Sequence, residues 1–160
     1  MLTFVSAWKG HDYPEYLPDV QLPPALLTVE DSVHFPVLGY ASDAQWYGLT
    51  STSDGFVRLG PNNRLFVVVM FHELHCLRVL NLGFSNSSYG STAHLEHCLT
   101  YLRQSVLCGA DVTLEPGDFE DRDWAVEKAG ATYTCRDWSA LYDIVEANTA
   151  AWADGTRHIM

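Results

Sequence analysis

Positive charge is scarce in this chain. Lys and Arg number 9 against 20 Asp and Glu, a formal net charge of −11. Surfaces that bind DNA, RNA or anionic lipid need clustered cations to neutralise phosphates. No Lys/Arg run, nucleic-acid motif or Gly-rich phosphate loop occurs, so nucleic acid is excluded as an expected partner. Long apolar runs are also missing. The longest, LFVVVMF at 65–71, falls far short of the roughly 20 residues needed to span a bilayer. The opening MLTFVSAWKGHDYPEYLP has no basic flank followed by an apolar stretch, so no signal peptide is visible. Two locations fit. One is a soluble protein inside the cell, and the other is the secretory-pathway lumen or a membrane surface, reached through an N-terminal anchor since removed. Cysteine is sparse and forms no CxxC knuckle. Cys76, Cys98, Cys108 and Cys135 allow three full pairings if oxidised. The sequon NSS at 86–88 supports a secretory location weakly.

What is present is an ordinary folding composition, 48% hydrophobic over 160 residues, long enough for one domain with its own core. Residues 1–40 carry Pro14, Pro18, Pro23, Pro24 and Pro36, which break any long helix. Their Tyr, Trp and Leu content suits an extended arm packed on the domain, and LLTVEDSVHF within it suits a short strand or turn. Residues 41–160 form the single domain proper. SDAQWYGL reads as a short helix capped by Ser42. GFVRLG and RLFVVVMF, separated by GPNN, read as a hairpin. A helical pattern runs from Phe71 to Gly83, with Leu74, Leu77 and Leu80 near one face. AHLEHCLTYLRQSVLC is the strongest helix of the chain and ends at Cys108-Gly109. An acidic loop follows, then a strand at GATYTC. The last helix has Asp137 as N-cap, an apolar stripe of Trp138, Leu141, Ile144 and Val145, and Gly155 near its end. The expected class is mainly α with a minor β element, α+β.

The chemistry concentrates in one doubled motif, HELHCL at 72–77 and HLEHCL at 94–99. At about 100° per residue, His72, His75 and Cys76 share one helical face, and His94, His97 and Cys98 repeat the arrangement. A short loop between the helices makes them antiparallel neighbours, so four imidazoles are expected in one small volume, as in bundle-core metal sites. The i, i+3 spacing excludes the zinc-protease motif, which needs i, i+4. Imidazole suits zinc, copper, iron and nickel alike. Neither Glu73 nor Glu96 shares a face with the histidines to complete an iron facial triad. The expected metal is therefore copper, with iron as the alternative. The cysteines are either thiolate ligands or disulfide partners, and the expected pairing is Cys76–Cys98 and Cys108–Cys135. Tyr101, one turn after His97, reads as a donor of an electron, proton or hydrogen bond, or as a plain rim tyrosine. Arg78 and Arg103 either anchor a substrate carboxylate or solvate their helices.

These motifs, with HCLTYLRQSVLCGADVTLEP and CRDWSALYDIVEAN, resemble the UstYa-like family of fungal mycotoxin-biosynthesis proteins. Weaker matches lie upstream in LTVEDSVHF, AQWYGL and VRLGPNNRLFVVVMFHELHCL, so the resemblance covers roughly 28 to 148. It implies oxidative tailoring of a natural product: side-chain macrocycles in ribosomal peptides, or hydroxylation and halogenation of small peptides. It also implies that His72, His75, His94 and His97 bind a metal essential for activity. Family members usually begin with a transmembrane helix, and this chain shows none. The expected function is a copper-dependent oxidase or cyclase acting on a small-molecule or peptide natural product through oxygen-dependent C–H or phenol oxidation. Two alternatives stand beside it. One is a redox-neutral cyclase or isomerase using the histidines as acids and bases. The other is a non-catalytic partner, assembled as a homo- or hetero-oligomer with a homologue.

Overall fold

A computed structural model describes residues 8–30, 33–85, 91–113, 123 and 129–153. The sequon at 86–88, most of the acidic loop and Gly155 lie outside the described residues. Among those described, four helices and two two-stranded antiparallel sheets follow the order β1(Pro24–Glu30), α1(Tyr40–Tyr47), β2(Phe56–Leu59), β3(Arg64–Val67), α2(Val69–Phe84), α3(Thr92–Gly109), β4(Ala129–Arg136), α4(Trp138–Ala153). This is an α+β arrangement.

The β-branched, aromatic sequence around 56–67 forms the hairpin its pattern predicts, with Phe56 opposite Val67 and Leu59 opposite Arg64. Strand β3 stops at Val67 and the helix begins at Val69, two residues before the sequence pattern turns helical. The proline-rich N-terminal segment contributes β1, which pairs with β4 from Pro24–Arg136 to Glu30–Ala129, with an irregularity between Thr28 and Glu30. The Thr28 and Thr132 hydroxyls meet across this ribbon at 2.8 Å. Farther upstream, Trp8, Leu17 and Leu22 lie against the main core.

That core joins Val57 and Leu59 of β2, Phe71 of α2, and Leu141 and Val145 of α4. Phe71 is fully buried and meets the Tyr142 ring edge-on at 4.8 Å. Burying such a side chain contributes about 1.5–3 kcal/mol. Asn148 closes the edge of β2 not paired to β3. Its Oδ1 accepts from the Arg58 N–H at 2.9 Å and its Nδ2 donates to the Arg58 carbonyl at 3.0 Å. Helix α4 thus substitutes one side chain for a missing strand. Asp137 caps it as expected, accepting from the Ser139 N–H at 3.0 Å. Trp138, expected in the apolar stripe, is exposed.

Helix α1 begins at Tyr40 with Gly39 as N-cap, so Ser42 is not the cap the sequence suggests. Ser42 is buried inside the helix, and its hydroxyl donates to the Pro36 carbonyl at 2.7 Å. The Trp46 indole donates to the same carbonyl at 3.0 Å. These bonds hold the 33–38 segment against α1. Asn81 of α2 then donates to the Val37 carbonyl at 3.0 Å, and Arg78 of α2 pairs with Asp43 of α1 at 2.5 Å. Together they set the spacing between α1 and α2.

Candidate functional site

Helices α2 and α3 meet through small and sulfur-bearing residues. A Cβ on Gly83 would stand 2.6 Å from Leu95 Cδ2, so the bare backbone of α2 is what lets Leu95 of α3 seat. Ser91 caps α3 by accepting from the His94 N–H at 3.3 Å, which orients the first turn that carries His94. Beneath the contact, Cys76, Val79 and Cys98 form a second buried cluster, covered by Leu95, Tyr101 and Leu102.

Above this cluster the four motif histidines lie side by side. His72 and His75 are one edge of a quadrilateral of rings, with centroids 6.3 Å apart. His94 and His97 are the opposite edge, also 6.3 Å. Across the helices, His75 faces His94 at 5.4 Å and His72 faces His97 at 5.7 Å. His72 and His94 are half-buried, whereas His75 and His97 are exposed. The assembly is therefore a surface plate of imidazoles on a sulfur-lined floor.

Its fit to a metal can be tested from these distances. Two imidazoles on one tetrahedral ion, with metal–nitrogen bonds near 2.0–2.1 Å, stand with their nitrogens about 3.3 Å and their ring centres about 5 Å apart. The Nε2 atoms of His75 and His94 are 3.4 Å apart, and their rings match that spacing. The His72–His97 pair is slightly wider, and both same-helix pairs are about 1 Å too wide for one tetrahedral ion. Among the described residues, no three His, Cys, Asp or Glu groups converge tightly enough to hold an ion. The donors fit metal bites in pairs across the helices, and a four-ligand shell needs the rings to draw inward. Protonation agrees with ligation. Burial lowers the His72 imidazole below its ordinary value, and the neighbouring His97 lowers it further. Burial, then His94 and His72, do the same to His75, against an opposing pull from Asp54. Neutral imidazole is the form that binds metal.

The cysteines of both motifs point inward. All four cysteines of the chain are free thiols here: Cys76 and Cys98 buried, Cys108 exposed and Cys135 half-buried. Cys76 and Cys98 hydrogen-bond each other. Burial first, then this bond, push the Cys76 thiol up to about 12. A thiol so hard to ionise is neither a ready nucleophile nor, by itself, a thiolate ligand. Tyr101 packs its ring 4.2 Å from His72 and 6.3 Å from His97. Burial, followed by Glu73 and Cys76, raises its hydroxyl above the usual tyrosine value, so it stays protonated at neutral pH. Arg103 is exposed on α3, whereas Arg78 is engaged by Asp43 and Asn81.

Beside the plate opens a cavity of about 770 Å³, lined by His72, His75, Arg78 and Leu82 of α2, Asp43 and Tyr47 of α1, and Asp54, Phe56 and Val67. Such a volume suits a small molecule. Sequence reasoning did not find Asp54, Tyr47, Phe56 or Val67, because they reach the histidines only through the packing of α1 and the hairpin on α2. The available local signal was the turn-forming STSDG at 51–55, in which Asp54 and Gly55 both take positive φ, 54° and 80°. A second cavity, of about 850 Å³, lies between the N-terminal segment and the hairpin and touches none of the expected site residues.

Comparison with known proteins bears on this arrangement. The family model described as "Mycotoxin biosynthesis protein UstYa" matches residues 41–156. The chain is 36% identical over 107 residues to the oxidase ustYa of Aspergillus flavus, covering 61% of this chain and 44% of that protein. It is 34% identical over 86 residues to the UstYa family oxidase phomYb of Diaporthe leptostromiformis, covering 48% and 32%. It is 32% identical over 98 residues to the hydroxylase cctR of Talaromyces islandicus, covering 56% and 36%. The matches thus span less than half the length of these relatives. No solved structure matches the chain.

Proposed function

This chain belongs to the UstYa family, and on that premise we propose that it is a metal-dependent oxidase that tailors a fungal secondary metabolite. One observation carries the reading: four imidazoles from α2 and α3 gather with neighbouring ring centres 5.4 to 6.3 Å apart beside a cavity of small-molecule size. The two helices are read as antiparallel, since His72 meets His97 and His75 meets His94. The relatives' names, oxidase and hydroxylase, support an oxidative reaction. The proposed substrate is a small molecule or peptide.

Copper held by His72, His75, His94 and His97, or iron as the alternative, would supply one-electron chemistry and dioxygen activation. The chain's own residues do the rest. His72 and His75 present neutral lone pairs at neutral pH. Tyr101, against His72, holds a proton on its hydroxyl that it can donate as a hydrogen bond. Phe56, Val67 and Leu82 line the cavity with apolar surface that orients the bound group. Of the two expected locations, the secretory lumen is oxidising, and there Cys76 and Cys98 would bridge α2 and α3 beneath the histidines. Among the described residues no helix is long and apolar enough to cross a membrane.

The test is copper content and oxygen uptake of untagged protein with a candidate metabolite, compared with His75→Ala and His94→Ala. Product formation that persists in either variant would remove the metal from the mechanism. A redox-neutral cyclase has one observation in its favour, the neutral His72 and His75, which suit a general base. It requires turnover under anaerobic conditions with chelator present, an outcome opposite to the oxidase's.

A further inference from the structure

The cavity beside the histidines has a charge pattern that the doubled motif does not explain. Its charged lining residues are Asp43, Asp54 and Arg78. Arg78 pairs with Asp43 at 2.5 Å and also donates to Asn81, so these two charges offset each other. Asp54 makes no ion pair with Lys or Arg among the described residues. Its charge nonetheless reaches His75, so the carboxylate stands near the histidine plate.

Asp54 is also held with unusual firmness for an exposed loop residue. Its backbone takes the left-handed φ of 54°, a conformation that is uncommon for residues other than glycine, with Asp and Asn the most tolerant. The Asp54 N–H donates to the Ser51 carbonyl at 2.9 Å, and the Gly55 N–H donates to the buried Ser51 hydroxyl at 2.7 Å. Gly55 cannot be replaced cheaply, since a Cβ there would meet Phe71 Cβ at 2.1 Å. The turn is anchored on the core, and it presents one carboxylate to the cavity. The same cavity has apolar lining: Phe56, Val67, Leu82 and Tyr47.

We propose that this cavity binds the substrate through an apolar or aromatic group lodged among Phe56, Val67 and Leu82 and a protonated amine paired with Asp54. The substrate class is an amine-bearing aromatic or aliphatic compound, such as the end of a peptide or an amino-acid-derived metabolite. A carboxylate is disfavoured, because Arg78 is already neutralised by Asp43. Asp54 is a specificity residue, which sets the reacting part of the substrate against the His72–His75 edge. The inference rests on the proposed function only in taking this cavity as the substrate pocket.

The experiment uses the metal-free chain at neutral pH, so that binding is read apart from turnover. Phenethylamine, 2-phenylethanol and 3-phenylpropanoate are titrated by NMR, following amides of the lining residues. Phenethylamine is expected to bind about tenfold more tightly than the alcohol, as a charge-assisted contact in a partly dry cavity allows, with 3-phenylpropanoate weakest. Asp54→Asn, which tolerates the same backbone conformation, is expected to bring the amine down to the level of the alcohol. Asp54→Gly, at ease with positive φ, is expected to do the same, guarding against a fold defect peculiar to one variant. Val67→Trp is expected to weaken all three probes by filling the apolar wall. Equal affinity for amine and alcohol in the unaltered chain would overturn the proposal, as would preference for the carboxylate. So would an amine preference that survives Asp54→Asn while copper affinity falls, since Asp54 would then serve the metal. If the amine preference holds in a chain with no oxygen uptake dependent on copper or iron, the pocket stands and the oxidase reading falls.

Discussion

His75 and His94 are the two histidines whose ring nitrogens already stand at the separation one metal ion imposes, 3.4 Å. His72 and His97, with ring centres 5.7 Å apart, need a small inward movement to join them. Unequal contributions follow. His75→Ala and His94→Ala are expected to lower copper affinity by at least about 10–100-fold, the loss typical of removing even a supporting contact at a metal. His72→Ala and His97→Ala are expected to cost less. Competition with a chromophoric chelator measures all four, and equal losses would show one ion shared symmetrically. The histidines were legible in the sequence because helical spacing alone puts i and i+3 on one face. Their mutual distances were not, since those depend on how closely Gly83 lets α3 approach. The cysteines illustrate a similar limit: their place in the motif was plain, but it takes burial, and then the bond with Cys98, to explain why Cys76 resists ionisation.

At the scale of elements, Asn148 carries a role that nothing in its local sequence announces. A polar residue at 8% exposure on the core face of α4 completes the hydrogen bonding of a strand edge. Asn148→Leu would leave the Arg58 N–H and C=O unpaired in a partly buried setting, at a cost of about 1–3 kcal/mol. A loss of that size is expected as a lower denaturation midpoint in urea, with the hairpin amides exchanging faster. Unchanged stability would show that water replaces the side chain. Gly55→Ala is expected to be harsher. It combines a positive φ of 80° with a clash against the fully buried Phe71, for which about 2–5 kcal/mol is reasonable. The hairpin, α3 and the Asp137-capped α4 were readable because alternation, caps and turn residues act locally. Helix α2 differs. Its buried residues are Phe71, Cys76, Val79 and Asn81, while Leu77 is exposed, because α2 divides its surface between the main core and α3. One periodic stripe cannot describe a helix with two partners.

Across the whole molecule the surplus of acid makes low pH a useful probe. The Thr52 N–H donates to Glu146 at 2.6 Å, joining α4 to the loop that carries Asp54. This bond holds the Glu146 carboxyl below its ordinary value, and Ser139 does the same for Asp137. The folded protein therefore binds these protons less readily than the unfolded chain. Their stabilising contribution is complete above the unfolded carboxylate range, near 4.5 for Glu146. It is lost as pH falls through the depressed folded values. Glu146→Gln is expected to lower stability at neutral pH and to flatten the acid limb of the profile, as measured by thermal unfolding between roughly pH 2 and 7. An unchanged acid limb would mean that other carboxylates control it.

The sequence alone determined the ingredients: an acidic chain without cationic clusters, an α+β class, and two matching His–His–Cys sets on successive helices. These follow from composition and short-range periodicity, which need no knowledge of distant contacts. Only the tertiary structure decided that the N-terminal segment pairs with β4, that α1 and the hairpin wall a cavity against His72 and His75, and that Asp54 lines it too. Each of these joins residues far apart in the chain, and no local propensity encodes which apolar surfaces will cover one another. The doubled motif specified the four imidazoles, and the packing of α1 and the hairpin against α2 made the cavity beside them.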